Sequence, residues 1–63
     1  MITHFYKVPR LGYSRPTLVC TKNIDIIPVK GTYVEWEDNI KYRVDNVLFN
    51  LEKCEYQIIM VRI

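Results

Sequence analysis

The chain has 63 residues, a formal net charge of +2 and a charged fraction of 25%. A chain this short forms one domain, residues 1–63, and buries roughly 60% of the surface of its unfolded state, so its stability is marginal. No apolar run is long enough to span a bilayer, no signal-peptide pattern is visible, and the net charge is too small to identify a partner.

Residue types that favour strands dominate the composition. There are eight Ile, seven Val and four Thr, whereas Ala, the strongest helix former, is absent. No segment shows sustained helical periodicity, and a single turn at residues 50–53 is the only helical candidate. The composition therefore predicts an all-β domain.

The first half of the chain contains two predicted strands. Residues 3–8 form the first, which ends at Pro9 because proline cannot donate a ladder hydrogen bond. Residues 10–16 form a loop, and residues 17–21 form the second strand. Residues 24–29 are apolar but contain Pro28, which favours a short edge segment or an irregular lead-in to the second half.

The second half begins with a hairpin between strands at residues 32–36 and 40–49. A two-residue loop at 38–39 would mix apolar and charged side chains on both faces, whereas a three-residue loop at 37–39 separates them. We therefore predict the longer loop, with Asn39 in the left-handed region. The predicted pairs are Trp36 with Ile40, Val34 with Tyr42, Thr32 with Val44, Glu35 with Lys41 and Tyr33 with Arg43.

The third strand of the hairpin meander is predicted at residues 56–63. Before it, the spacing of three between Val44 and Val47 breaks the alternation of period two, which indicates a bulge at residues 45–46. The last strand is apolar on both faces, so it is buried on both sides or lies at an interface. Pairing of Phe49 with Tyr56 and pairing of Phe49 with Cys54 both remain open.

These elements predict a five- or six-stranded antiparallel barrel or rolled sheet with a C-terminal three-strand meander. Gly31 before a strand, the tight hairpin and the pattern Tyr42-x-Val44-x-x-Val47 resemble SH3-like small β-barrels. The chain also resembles short bacteriophage-encoded proteins of unassigned function, and its lack of Ala with many Ile, Lys, Asn and Tyr is typical of an AT-rich genome. The resemblance covers about half the chain and implies no catalytic or binding residues.

The residue types that carry chemistry are few. We expect Cys20 and Cys54 to be reduced, buried side chains, with a disulfide between them as the alternative. With His4 they supply only three candidate zinc ligands and lack the usual paired spacing, so we expect no metal and no cofactor. His4 lacks a partner nearby in the sequence, and a surface or strand-edge histidine is expected. The sequence therefore predicts a protein that is not an enzyme.

A protein partner is the function that the sequence favours. Large amphipathic side chains of the kind enriched at interface centres lie in and beside the predicted meander. The resemblance to phage proteins implies an inhibitor of a host protein or a minor virion component, located in the host cytoplasm or the virion. Homodimerisation, or addition of a strand to a partner sheet, is a further expectation. The predicted partner-binding residues are Tyr33, Trp36, Tyr42 and Tyr56.

Nucleic-acid binding is the alternative function. Residues 1–30 contain five basic side chains and one acid, a charge of +4, whereas residues 31–63 contain four basic and six acidic side chains, a charge of −2. Basic side chains would contact phosphates and aromatic ones would stack on bases. The residues predicted for this role are Lys7, Arg10, Tyr13, Arg15 and Lys22.

Overall fold

The computed structural model describes residues 1–8, 15–36 and 39–63. Within these ranges the chain is all-β, as predicted, and residues 51–54 form a turn rather than a helix. None of the described segments is a helix that could cross a bilayer. The five strands are β1 (Ile2–Val8), β2 (Thr17–Asn23), β3 (Tyr33–Trp36), β4 (Ile40–Asn50) and β5 (Glu55–Arg62).

The five strands form one sheet in the order β2-β1-β5-β4-β3, curled into a half-barrel. The C-terminal meander β3-β4-β5 is confirmed. An antiparallel arrangement throughout is wrong, because β1 pairs with β5 in parallel. β1 and β5, the first and last of the described strands, thus run in the same direction. β5 is therefore the central strand of the sheet and pairs with β1 on one edge and with β4 on the other.

The hairpin register is the predicted one. Trp36 pairs with Ile40, and Val34 pairs with Tyr42. Asn39 has a φ of 63°, the left-handed conformation that the three-residue loop requires. The sheet contact continues before β3, where the backbone N–H of Val44 donates to the carbonyl of Thr32 at 2.8 Å. Register and turn chemistry thus agree, although residues 37 and 38 lie outside the described residues.

The bulge in β4 is also confirmed. The pairing with β5 shifts register between Val44 and Asn46, so that Asp45 is the extra residue. The shift returns Val47 to the same face of the sheet as Val44. It also selects one of the two open registers, because Phe49 pairs with Tyr56.

The first half of the chain is less regular than predicted. β2 extends two residues beyond the expected end, and its pairing with β1 has a bulge of its own opposite Phe5 and Tyr6. The predicted loop at 10–16 lies mostly outside the described residues. Residues 24–29 form an irregular segment rather than an edge strand, and Ile24 and Ile27 pack against the core.

The core lies on the concave side of the sheet. Its side chains come from the three central strands and are fully or almost fully buried, together with Thr3. Because alternate residues of a strand point to opposite faces, the same strands also carry a second, outer set of side chains. The core residues are Phe5, Tyr42, Val44, Ile58 and Met60.

Candidate docking surfaces

The first candidate surface is a groove where the two edges of the sheet come together. β2 and β3 are the end strands of the sheet, yet both contribute side chains to one cavity of about 150 Å³. The curl of the half-barrel therefore brings these edges to the same opening. We call this feature the mouth groove; it is lined by Phe5, Cys20, Lys22, Val34, Trp36 and Met60.

The mouth groove has an apolar floor and a basic end. Phe5 and Met60 belong to the buried core, and Trp36 is half-buried above it. Lys22 is the charged side chain among the lining residues. Lys7 is exposed and follows Phe5 on the inner face of β1, because it lies two residues further along the strand. The groove thus combines an aromatic wall with positive charge.

The structure brings together only part of the predicted nucleic-acid site. Lys22 pairs with Thr3, and Lys7 pairs with Thr17. At about 3.3 Å per residue, the two lysines are therefore roughly 13 Å apart along β1, at opposite ends of its inner face. Arg15 is exposed just before β2. Arg10 and Tyr13 lie outside the described residues.

The four predicted partner-binding aromatic residues do not form one surface. Tyr42 is only 4% exposed and belongs to the core rather than to an exposed surface. Trp36 lies in the mouth groove, and half-buried Tyr56 faces inwards with its ring 4.8 Å from that of Phe49. Tyr33 is 70% exposed on the opposite face. The separation follows from the alternation of side chains, because Tyr33 is one residue out of phase with Val34.

The second candidate surface is the convex side of the sheet. Tyr6 lies beside Ile59, and Val8 lies beside Val61, in the parallel pairing of β1 with β5. All four side chains are half-buried, and the row continues through exposed Leu18 on β2. We call this feature the outer apolar face; it consists of Tyr6, Val8, Leu18, Ile59 and Val61, together with Leu48 of β4, which pairs with Gln57, two residues before Ile59 on the same face.

Among the described residues, no second layer packs on the outer apolar face. All five described strands belong to the single sheet, and the irregular segment after β2 packs on the inner core through Ile24 and Ile27. Leu18 and Leu48 are 52% and 48% exposed, respectively. Tyr33, paired with Arg43, extends the same face beyond Val61. The outer face is thus apolar at its centre and polar where β4 meets β3.

A polar bridge centred on His4 lies at one end of the outer face. The Nδ1 atom of His4 is 2.8 Å from the hydroxyl oxygen of Thr21, and its Nε2 atom is 2.6 Å from a carboxylate oxygen of Glu55. The bridge joins β2, β1 and β5, and it confirms a histidine on the sheet surface. Sequence reasoning missed both partners because they lie 17 and 51 residues away along the chain.

The hydroxyl, imidazole and carboxylate of this bridge have the same order as the groups of a nucleophilic catalytic triad. Thr21 is exposed, and the three groups lie across neighbouring strands of one sheet face. A triad also needs donors aimed at a developing oxyanion and a cleft that excludes water. The side chains of His4 and Glu55 are about one quarter exposed. We therefore interpret the bridge as a contact between neighbouring strands.

The two thiols occupy different environments. Cys20 is half-buried in the mouth groove, whereas Cys54 is exposed in the turn after β4, and both are free. The expectation of a buried side chain is therefore wrong for Cys54. Its φ of 53° is left-handed, and Cys54 is the last residue of the turn before β5. Among the described residues, no three His, Cys, Asp or Glu side chains lie close enough together to hold a metal ion.

Comparisons of this chain with protein-family models, with curated proteins and with solved structures found no match. The geometry and chemistry of the mouth groove and of the outer apolar face are therefore the basis for the proposals below.

Proposed function

We propose that this chain is a small non-enzymatic binding module that docks on a protein partner through the outer apolar face. The observation that carries the proposal is the row of apolar side chains across β2, β1 and β5, which no described layer of the chain covers. A contiguous apolar patch of this kind on a small domain is typical of an interaction site.

The biological setting belongs to the same proposal. We propose that the chain is phage-encoded and acts in the host cytoplasm as an inhibitor of a host protein, with a minor virion component as the other role. The composition, rich in Ile, Lys, Asn and Tyr and without Ala, supports an AT-rich source. The genes adjacent to its own provide the test, because host-takeover genes and structural genes occupy different parts of a phage genome.

Site-specific photo-crosslinking tests the docking surface. A benzophenone amino acid at Leu48 lies on the outer apolar face, whereas the same group at Leu51, 80% exposed in the next turn, lies off it. We expect a crosslinked band in host cells at position 48 that is weak at position 51. Excess unmodified chain should compete for it, and a Leu18→Lys, Leu48→Lys double variant should not.

Equal crosslinking at both positions, or equal competition by the double variant, would contradict docking through this face. A band of twice the mass of the chain would identify the partner as a second copy. Both substituted leucines are about half exposed, so a circular-dichroism spectrum like that of the unmodified chain is the expected control for folding.

Nucleic-acid binding remains the second candidate, because Lys22 and Trp36 line the same groove. A cation beside an aromatic ring suits a phosphate next to a stacked base. Binding of a single-stranded oligonucleotide should then fall steeply with salt and weaken in the Lys22→Ala and Arg15→Ala variants. No binding at low salt would exclude this function.

A further inference from the structure

We propose that the mouth groove accepts an extended peptide as a sixth strand, added to the edge of β2, and that the peptide carries acidic residues on both sides of an apolar one. This surface is separate from the outer apolar face, so the inference goes beyond the proposed function and does not depend on it.

The edge of β2 supplies the backbone part of the site. β2 has seven residues and, as an end strand, pairs only with β1 among the described strands. Every second residue of such an edge directs its N–H and C=O groups away from the sheet, where a new strand can pair with them. β3, the opposite edge, has only four residues. β2 therefore offers the longer template.

The groove supplies the side-chain part of the site. A strand added to β2 directs alternate side chains to the inner face, in line with Cys20 and Lys22. Trp36 and Val34 reach the same groove from the opposite edge of the sheet. An apolar side chain placed beside Cys20 would thus contact the wall formed by Trp36. This contact would bury apolar surface that the half-barrel leaves open.

Charge selects the kind of peptide. β2 contains one charged residue, Lys22, and no acid, and Arg15 precedes it. Lys7 lies next to Thr17, an exposed small residue over which a lysine side chain can reach. Lys22 lies opposite Thr3, which is four residues before Lys7 on β1. The pair of Phe5 and Cys20 lies between the two lysines on the inner face. The complementary pattern is acid-x-apolar-x-acid.

The same charges argue against a second copy of this chain in the groove. Pairing of β2 with β2 would bring together two strands whose only charged residue is Lys22, so that no opposite-charge pair forms across them. An acidic segment places opposite charges there instead. The proposal therefore commits to an acidic peptide of another protein.

A synthetic peptide tests the proposal directly. Its sequence is acetyl-Thr-Glu-Thr-Ile-Thr-Glu-Thr-amide, and its binding is read from the fluorescence of Trp36, the single tryptophan of the chain. We expect the acidic peptide to bind about tenfold or more tightly than the version with Lys in place of Glu, since charge-assisted hydrogen bonds are the stronger ones. A Lys7→Glu, Lys22→Glu double variant should reverse this preference.

N-methylation of the peptide backbone separates strand addition from other docking. One peptide is methylated at Glu, Ile and Glu, and a matched one at the Thr residues. Successive N–H groups of a strand point to opposite sides, so only one set should abolish binding to β2. Loss of binding with neither set or with both would overturn pairing with this edge. Equally tight binding of a thymidine oligonucleotide would identify a phosphate site instead and also overturn the proposal.

Discussion

The substitution Val44→Ala tests whether the side chain of Val44 faces the core on the inner side of the sheet. Val44 is fully buried and pairs with Met60 just before the bulge in β4. Alanine keeps the backbone hydrogen bonds to Gly31 and Thr32 and removes only two carbon atoms. At about 0.8 kcal/mol for each buried carbon, the transfer term is roughly 1.6 kcal/mol.

A cavity term adds to this loss, but Met60 beside it is flexible and fills part of the space. We therefore expect Val44→Ala to lower the free energy of unfolding by about 2 kcal/mol, within a range of roughly 1–3 kcal/mol. Chains of this length are stable by only about 3–9 kcal/mol, so the change is a large fraction of the total.

Urea unfolding followed by Trp36 fluorescence measures the effect, and an unchanged slope of free energy against urea shows that the two end states are the same. Val29→Ala is the matched control, because Val29 is 70% exposed and its truncation should stay within about 0.5 kcal/mol. A change at Val44 no larger than that at Val29 would refute the assignment of the inner face.

Three further predictions concern the turns, the polar bridge and the thiols. Asn39→Ala should cost about 1 kcal/mol because φ is 63°, whereas Asn39→Gly should stay within about 0.5 kcal/mol; urea midpoints that do not separate the two variants would contradict this. A double-mutant cycle on His4 and Glu55 should give a coupling of roughly 0.5–1 kcal/mol, as for a partly exposed hydrogen-bonded pair. A coupling near zero would show that the bridge does not stabilise the fold. A thiol reagent should modify exposed Cys54 faster than half-buried Cys20. Mass spectrometry of the digested protein measures both rates. A faster reaction at Cys20 would mean that the mouth groove is more open than the burial of Cys20 indicates.

Local features of the second half were predictable because each depends on neighbours in the sequence. The register of the hairpin follows from which residues must share a face, and Trp36 opposite Ile40 satisfies that condition in only one loop length. The bulge at Asp45 follows from one irregular spacing between two valines. Such features need no knowledge of the remaining chain.

Features that join distant parts of the chain were not predictable in the same way. The parallel pairing of β1 with β5 joins residues more than fifty positions apart. No local sequence pattern specifies that β1 pairs with β5. The partners of His4 depend on that pairing, since Glu55 reaches the imidazole only because β5 lies beside β1. Tyr42 was predicted as a contact residue because it is a large amphipathic side chain, but it belongs to the core, beside Val34 of the neighbouring strand.

The two apolar faces of β5 connect these results. The sequence of this strand indicates burial on both sides or a place at an interface. The sheet provides full burial on one side only: Ile58 and Met60 are fully buried, whereas Ile59 and Val61 are half-buried. β5 is parallel to β1 and antiparallel to β4, and a strand with one solvated face commonly alternates apolar and polar residues. The apolar side chains at positions 59 and 61 thus match a layer that the described chain does not supply, and a docked protein would supply it.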